Sequence, residues 1–293
     1  LWIGTYGGGL NVKGKKSGTQ TFDLYSLENG GITANHIRVI YEDSQHNLWV
    51  GTQNGLNLKR KGSNTFEFFK NEPGNPRSIS GNLIISIYED SNKNIWVGTY
   101  KDGLNKFDLR TGSFTHYNEE DGLPGNNIFG IIEDKTHNLW LSTNAGISKF
   151  NPATGFIRNY TSIDGLVGDE FIFGAHHKMA DGNLVFGSSL GFTLFNPDSM
   201  RINSYEPPVI FTDFKLFNKK IYPAKGEVLE KDISLTKELS LTYKQHVFTI
   251  AFATLNYILP KKNKYAYLLK GFDEEWNYVN NPSATYTNLD PGT

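Results

Sequence analysis

Cysteine is absent from the 293 residues, and methionine occurs only twice. Without cysteine there can be no disulfide frame, thiolate metal site or cysteine nucleophile, and the redox compartment stays open. Neither sign of charge dominates, because 29 Lys+Arg against 30 Asp+Glu leave a formal net charge of −1. A nucleic-acid partner would call for a basic face, so that class is excluded. Long hydrophobic runs are also missing. The longest apolar stretch, Val247–Leu259, is interrupted by Thr249, Thr254 and Asn256, whereas a spanning helix needs about 20 apolar residues. The chain has no initiator Met and no secretory leader, and it opens on Leu1-Trp2-Ile3-Gly4-Thr5. It is therefore expected to be a piece of a longer protein. Its length suits one large or two ordinary domains.

What is present is a repeat. The opening pentapeptide returns as Leu48-Trp49-Val50-Gly51-Thr52, Ile95-Trp96-Val97-Gly98-Thr99 and Leu139-Trp140-Leu141-Ser142-Thr143, with a degenerate copy at Leu184-Val185-Phe186-Gly187-Ser188. The steps are 47, 47, 44 and 45 residues, a period that marks solenoids and propellers. Each period divides into four short strands. Strand A is Ile37–Asp43, with counterparts at Ile84–Asp90 and Ile128–Asp134; strand B is the Trp pentapeptide. Strand C is typified by Gly103–Asp108 and strand D by Phe114–Tyr117, and Asn, Asp and Gly punctuate the turns. These are hairpin signals, and no window holds a capped helical period. Four antiparallel strands per period predict a propeller blade, and the count is half a blade followed by four full periods. The recurring Trp is expected to fill the wedge between neighbouring blades rather than to serve chemistry.

Most residues that look like sites fit the scaffold better. His46 and His137 share one turn position, three before their Trp, where the middle copy has Lys93; equivalent turns stand on different blades and cannot share a metal. His176 and His177 are adjacent on a strand and face opposite ways. Asp90-Ser91-Asn92-Lys93-Asn94 resembles part of a calcium loop, but Ile95 replaces the glycine, so an Asx-stabilised A–B turn is the expectation. Acid pairs such as Glu89-Asp90 recur with the repeat, as scaffold should. No G-x-S-x-G elbow, Gly-rich phosphate loop or H-E-x-x-H is expected, and no metal or cofactor is expected. Positions that change between copies carry more information. In the B–C loop stand Tyr6, Gln53, Tyr100, Asn144 and Ser189; before strand A stand Asn35, Asn82, Asn126 and, in looser alignment, Glu170. Both loops share one propeller face, so Tyr6, Gln53, Tyr100, Asn144, Asn35, Asn82 and Asn126, with Arg38, are the candidate ligand-binding residues. Rings for stacking and amides for paired hydrogen bonds suit a hydroxyl-rich ligand. The alternative is that the Asn side chains only cap loop backbone.

The repeat ends at Phe195-Asn196-Pro197, and Asp198–Pro208 is the expected linker. The domains are thus 1–203 and 204–293. The second is predicted to be a β-sandwich of the immunoglobulin or fibronectin type, with strands at Val209–Phe217, Leu239–Tyr243, Val247–Phe252 and Tyr265–Leu269. Trp276 is expected in its core beside Phe248, Phe252 and Tyr267, with exposure at a dimer or membrane-proximal surface as the competing reading. Beyond Tyr286, 287–292 resembles the corner before a fibronectin-type strand.

The copies of the pattern LWVGT, GLN-x-FD and I-x-x-I-x-ED resemble the two-component regulator propeller repeat, and Glu170–Pro197 resembles that family's last blade. Leu241–Thr293 is similar to the Y_Y_Y domain that follows such propellers. The resemblance implies an all-β partial propeller, part of a seven-bladed ring, followed by the Y_Y_Y sandwich. It implies further the periplasmic sensor region of a Bacteroidetes-type hybrid two-component sensor histidine kinase. An oligosaccharide ligand, a homodimer of the parent and membrane attachment only through a transmembrane segment outside this chain belong to the same implication. Two alternatives stay open, a glycan-active propeller hydrolase or lyase and a protein-interaction propeller. Arginine occurs only at 38, 60, 77, 110, 158 and 201, and no sialidase-like arrangement stands out among them.

Overall fold

The computed structural model describes residues 1–13, 22–200, 207–256, 263–287 and 289. The chain separates into two compact units, Leu1–Arg201 and Ile202–Thr293. Much of the expected linker, residues 201–206, lies outside the described residues, as does most of the corner after Tyr286.

The first unit is a succession of antiparallel sheets. The first contains β1 (Trp2–Gly4), β2 (Leu10–Lys13) and β3 (Phe22–Tyr25). Three complete blades follow. They are β4 (Ile37–Glu42) to β7 (Glu67–Phe69) through β5 (Leu48–Thr52) and β6 (Gly55–Lys59), then β8 (Ile84–Glu89), β9 (Ile95–Thr99), β10 (Leu104–Asp108) and β11 (Ser113–Tyr117), then β12 (Gly130–Glu133), β13 (Leu139–Thr143), β14 (Gly146–Phe150) and β15 (Ile157–Tyr160). The last sheet has β16 (Phe171–Lys178), β17 (Leu184–Ser188) and β18 (Gly191–Phe195). The expected half blade plus four full periods is therefore corrected to three complete blades between two three-stranded sheets. After β18 the chain enters a 3-10 turn at Pro197–Ser199, capped by the Asn196 side chain, and the described residues form no fourth strand there.

The cores lie between the sheets. In β5, β9 and β13 all five residues are buried, as a strand covered on both faces should be. Trp49, Trp96 and Trp140 are fully buried, and each meets an aromatic of the following blade: Phe107 at 5.2 Å, Phe150 at 5.6 Å and Phe195 at 4.8 Å between ring centroids. The interblade reading of the repeated Trp holds. Gly51 and Gly98 follow from the same closeness. A Cβ at Gly51 would stand 2.6 Å from Ile84 Cγ2, and one at Gly98 would stand 2.6 Å from the Ile128 carbonyl oxygen.

The A–B turns explain the recurring Asp. Asp43 Oδ1 accepts from the Gln45 and Asn47 backbone N–H groups, and Oδ2 accepts from Asn47 Nδ2 and Trp49 Nε1 at 2.9 Å. Asp90 and Asp134 repeat this pattern with Trp96 and Trp140. His46, Lys93 and His137 occupy the left-handed position of these turns, at φ 64, 68 and 62°. The Glu before Asp90 and the one before Asp134 serve another blade: Glu89 accepts from Ser44 N and Oγ, and Glu133 from Ser91 N and Oγ.

In the second unit, β19 (Val209–Leu216) pairs with β20 (Lys219–Lys220) and β21 (Val247–Thr254), and β24 (Ser283–Thr287) completes that sheet. A two-stranded sheet, β22 (Tyr265–Tyr267) and β23 (Asn277–Val279), packs Tyr265, Tyr267 and Val279 against Phe252, Ala284 and Tyr286 of the larger one. Two expectations fail here. Leu239–Tyr243 makes no ladder; Leu239 and Leu241 pack beside Phe214 and Leu229, while Thr242 and Gln245 close a turn on each other. Trp276 is 60 % exposed. The aromatics expected around it gather instead on buried Tyr286, with Phe248 at 5.7 Å and Tyr267 at 5.8 Å. Tyr286 wins the core because its hydroxyl has an acceptor there: it donates to Asp273 Oδ2 at 2.6 Å, in the turn that leaves Trp276 outside.

Candidate functional site

The face where B–C loops meet the starts of strands A is held by backbone. The carbonyl of Asn35 accepts from Gly7 and Gly9 N–H, that of Asn82 from Gly55 N–H, and that of Asn126 from Gly103 N–H. Each B–C loop is thereby tied to the next blade. The Asn side chains cap their own loops: Oδ1 of Asn35, Asn82 and Asn126 accepts from the N–H of Leu27, Asn71 and Glu119 respectively. Asn35 also donates to both Glu28 carboxylate oxygens. Glu28's own N–H, the Ser26 hydroxyl and that amide hold the Glu28 carboxyl below the usual carboxylate range.

A cavity of about 610 Å³ opens between the first two sheets, and Asn35, His36, Arg38, Gln53, Asn54 and Thr33 contribute its polar lining. Leu27, Ala34 and Leu83 supply apolar wall. Exposed Tyr6 stands beside this group: its ring meets the His36 ring edge-on at 4.3 Å, and the Arg38 guanidinium lies 5.3 Å from its centroid. The structure thus brings together Tyr6, Asn35, Arg38 and Gln53. It leaves Asn82, Tyr100, Asn126 and Asn144 outside this cavity, on the loops of later blades. Tyr100 is partly exposed, with Lys101 Nζ 5.6 Å from its ring centre, and Asn144 Oδ1 accepts from Asn127 N–H.

His36 and Asn54 were missed by sequence reasoning. The available signal was copy-to-copy change, since the His36 position holds Leu83 and Asn127 in the next two copies. The sequence Gly187-Ser188-Ser189-Leu190-Gly191 spells G-x-S-x-G, but Ser189 lies in the two-residue loop joining β17 to β18. A strand-to-helix elbow, which that motif needs, is not formed. Among the described residues no group of three His, Asp or Glu could hold a metal ion. His176 is largely buried, and desolvation lowers its pKa, with His177 contributing. The cavity lining offers amide, imidazole and guanidinium groups and no carboxylate. It can hydrogen-bond and stack, but it assembles no acid pair for glycoside cleavage.

The blades are two component regulator propeller repeats, matched at residues 31–54, 78–101 and 122–145, and a Y_Y_Y domain is matched at 256–293. Over 98 % of its length the chain is 35 % identical to histidine kinase P4 of Formosa agariphila, of which it spans 21 %. It is also similar to the solved extracellular domain of a protein assigned to the hybrid two component systems of B. thetaiotaomicron. That likeness has 26 % identity and a TM-score of 0.55, covering 99 % of this chain and 45 % of that one. A second such domain from the same organism, at 20 % identity and TM-score 0.56, covers 99 % of this chain and 52 % of its own length and shares the fold. The chain therefore spans about half the length of these solved domains and about a fifth of the curated relative. Among the described residues no helix is long and apolar enough to cross a membrane.

Proposed function

We propose that this chain is a ligand-sensing, non-catalytic part of a periplasmic sensor region, and that it detects an oligosaccharide and signals to a kinase outside the chain. The observation that carries the reading is the cavity beside Tyr6, where amides, an imidazole and a guanidinium line a pocket of about 610 Å³. Hydroxyl-rich ligands are recognised by paired hydrogen bonds to such groups and by stacking on rings. The kinship with histidine kinase P4 supports the signalling half of the proposal. In a dimeric parent, ligand binding would shift the balance between two arrangements of the subunits that differ in kinase output. The test is calorimetric titration of the intact sensor region with plant, host and microbial oligosaccharides, with product release followed on the same panel. Binding without cleavage is expected. Silence across the whole panel refutes sensing, and release of shorter sugars refutes a non-catalytic role.

A further inference from the structure

We infer that the cavity receives an acidic group of its ligand, a carboxylate or a sulfate, on Arg38; the inference rests on the oligosaccharide reading above and narrows it to acidic glycans. Arg38 Nε is buried with no hydrogen-bond partner. Among the described residues no Asp or Glu forms an ion pair with its guanidinium. The nearby Glu28 is engaged by Asn35 and does not line the cavity. A guanidinium so placed lacks the anion that would complete it, and the planar fork of N–H groups fits two oxygens of one carboxylate or sulfate. The guanidinium carbon lies 5.3 Å from the Tyr6 ring centre, and that ring attracts the cation without supplying the anion it would pair with.

The scaffold does not require a cation at this position. Arg38 corresponds to Ile85 in the second copy and Phe129 in the third, both at the start of an equivalent strand A. Arg38 is therefore a departure from the repeat, as His36 beside it is, and the two departures face one cavity. The rest of the lining mixes polar groups with the Leu27, Ala34 and Leu83 side chains and holds no carboxylate, so no acidic side chain of the lining would repel an anion.

The experiment titrates the intact sensor region with galacturonate and alginate oligomers, with sulfated galactan oligomers, and with the carboxyl-reduced or desulfated counterpart of each. Binding of at least one acidic oligomer, stronger than that of its neutral counterpart and weakening as salt rises, is expected. In Arg38→Gln that preference should collapse by about 10- to 100-fold, the span expected for hydrogen bonds to a charged group. Arg38→Lys should recover part of it, and Arg38→Ile, which installs the side chain of the second copy, should melt as the parent does while losing the preference. The carboxylate and sulfate arms tell the two anion sources apart. Equal or better binding of the neutral counterparts, or a preference that survives in both Arg38→Gln and Arg38→Ile, overturns the acidic reading while leaving oligosaccharide sensing standing. Silence toward every acidic and neutral oligomer overturns both.

Discussion

Removing the Asp134 carboxylate should unlatch a whole blade. Asp134 is buried, and its Oδ2 accepts from the fully buried Trp140 Nε1 at 2.8 Å. Its Oδ1 accepts from Thr136 N and Oγ1 and from Asn138 N. In Asp134→Ala the indole N–H keeps its burial and loses its acceptor, which costs about 1–3 kcal/mol. The turn loses a cap of the Asx kind, about 1 kcal/mol more, and emptying the carboxylate's place adds a smaller amount. The expected loss is about 2–4 kcal/mol in urea melts followed by circular dichroism at neutral pH. The same carboxylate gives the blade an acid limb. Burial works to raise its pKa, but the Trp140, Asn138 and Thr136 donors outweigh it and hold the group below its ordinary 3.8. A carboxyl lowered in the folded state contributes stability that is present above 3.8 and is lost as pH falls through the lower folded value. Asp134→Ala should remove that part of the acid dependence. Repeating the measurement in a Trp140→Phe background isolates the indole, because the cost of losing Asp134 should then shrink by about 1–3 kcal/mol. An Asp134→Ala loss under about 1 kcal/mol, or an identical loss in both backgrounds, would show that the bond to Trp140 does not hold the blade.

Two further outcomes concern the scaffold. Gly98→Ala should destabilise the first unit by about 1–3 kcal/mol in the same melts, the usual cost of overpacking, since its Cβ would press on the Ile128 carbonyl and Ile128 Cβ; unchanged stability would mean that the blades can slide apart locally. In the second unit, Tyr286→Ala should cost about 3–5 kcal/mol and Trp276→Ala no more than about 0.5 kcal/mol; calorimetric transitions in the reverse order would return Trp276 to the core.

The repeat made the propeller unit legible because one physical problem recurs every 44 to 47 residues: a strand buried on both faces needs an apolar run, a glycine where the next blade comes close, and a partner for the indole N–H. The Asp and Trp of the three complete blades, with Gly51 and Gly98 in two of them, answer that problem in one order, so position in the period predicts the environment. No such template exists for Trp276, and a single large aromatic among alternating strands spells core in the sequence alone. In the structure Asp273 accepts from the Tyr286 hydroxyl, and Trp276 stays outside. Leu239–Tyr243 failed for a related reason: its alternation buries Leu239 and Leu241, but burial does not require a ladder partner. At the candidate site, Tyr6 and Gln53 stand at loop positions that change between copies, whereas nothing in the loop comparison singles out Arg38. The Asn positions were less informative, since a side chain that caps a loop and one that meets a ligand are spelled alike.

The carboxylates of Glu89 and Glu133, each fastened to a Ser of the preceding blade, put the genetic repeat and the mechanical repeat out of phase. A copy excised from one Trp pentapeptide to the next carries the acid that closes a turn left behind, and abandons the acid that should close its own. Blades of this chain can therefore be exchanged or multiplied only with their joints, as planks of a barrel are cut with tongue and groove together. At the last sheet the joint is of another make. Lys178 stands in the Glu place and offers its ammonium to the Glu133 carbonyl at 2.8 Å, so a blade transplanted across that seam would bring the wrong half of the fastening.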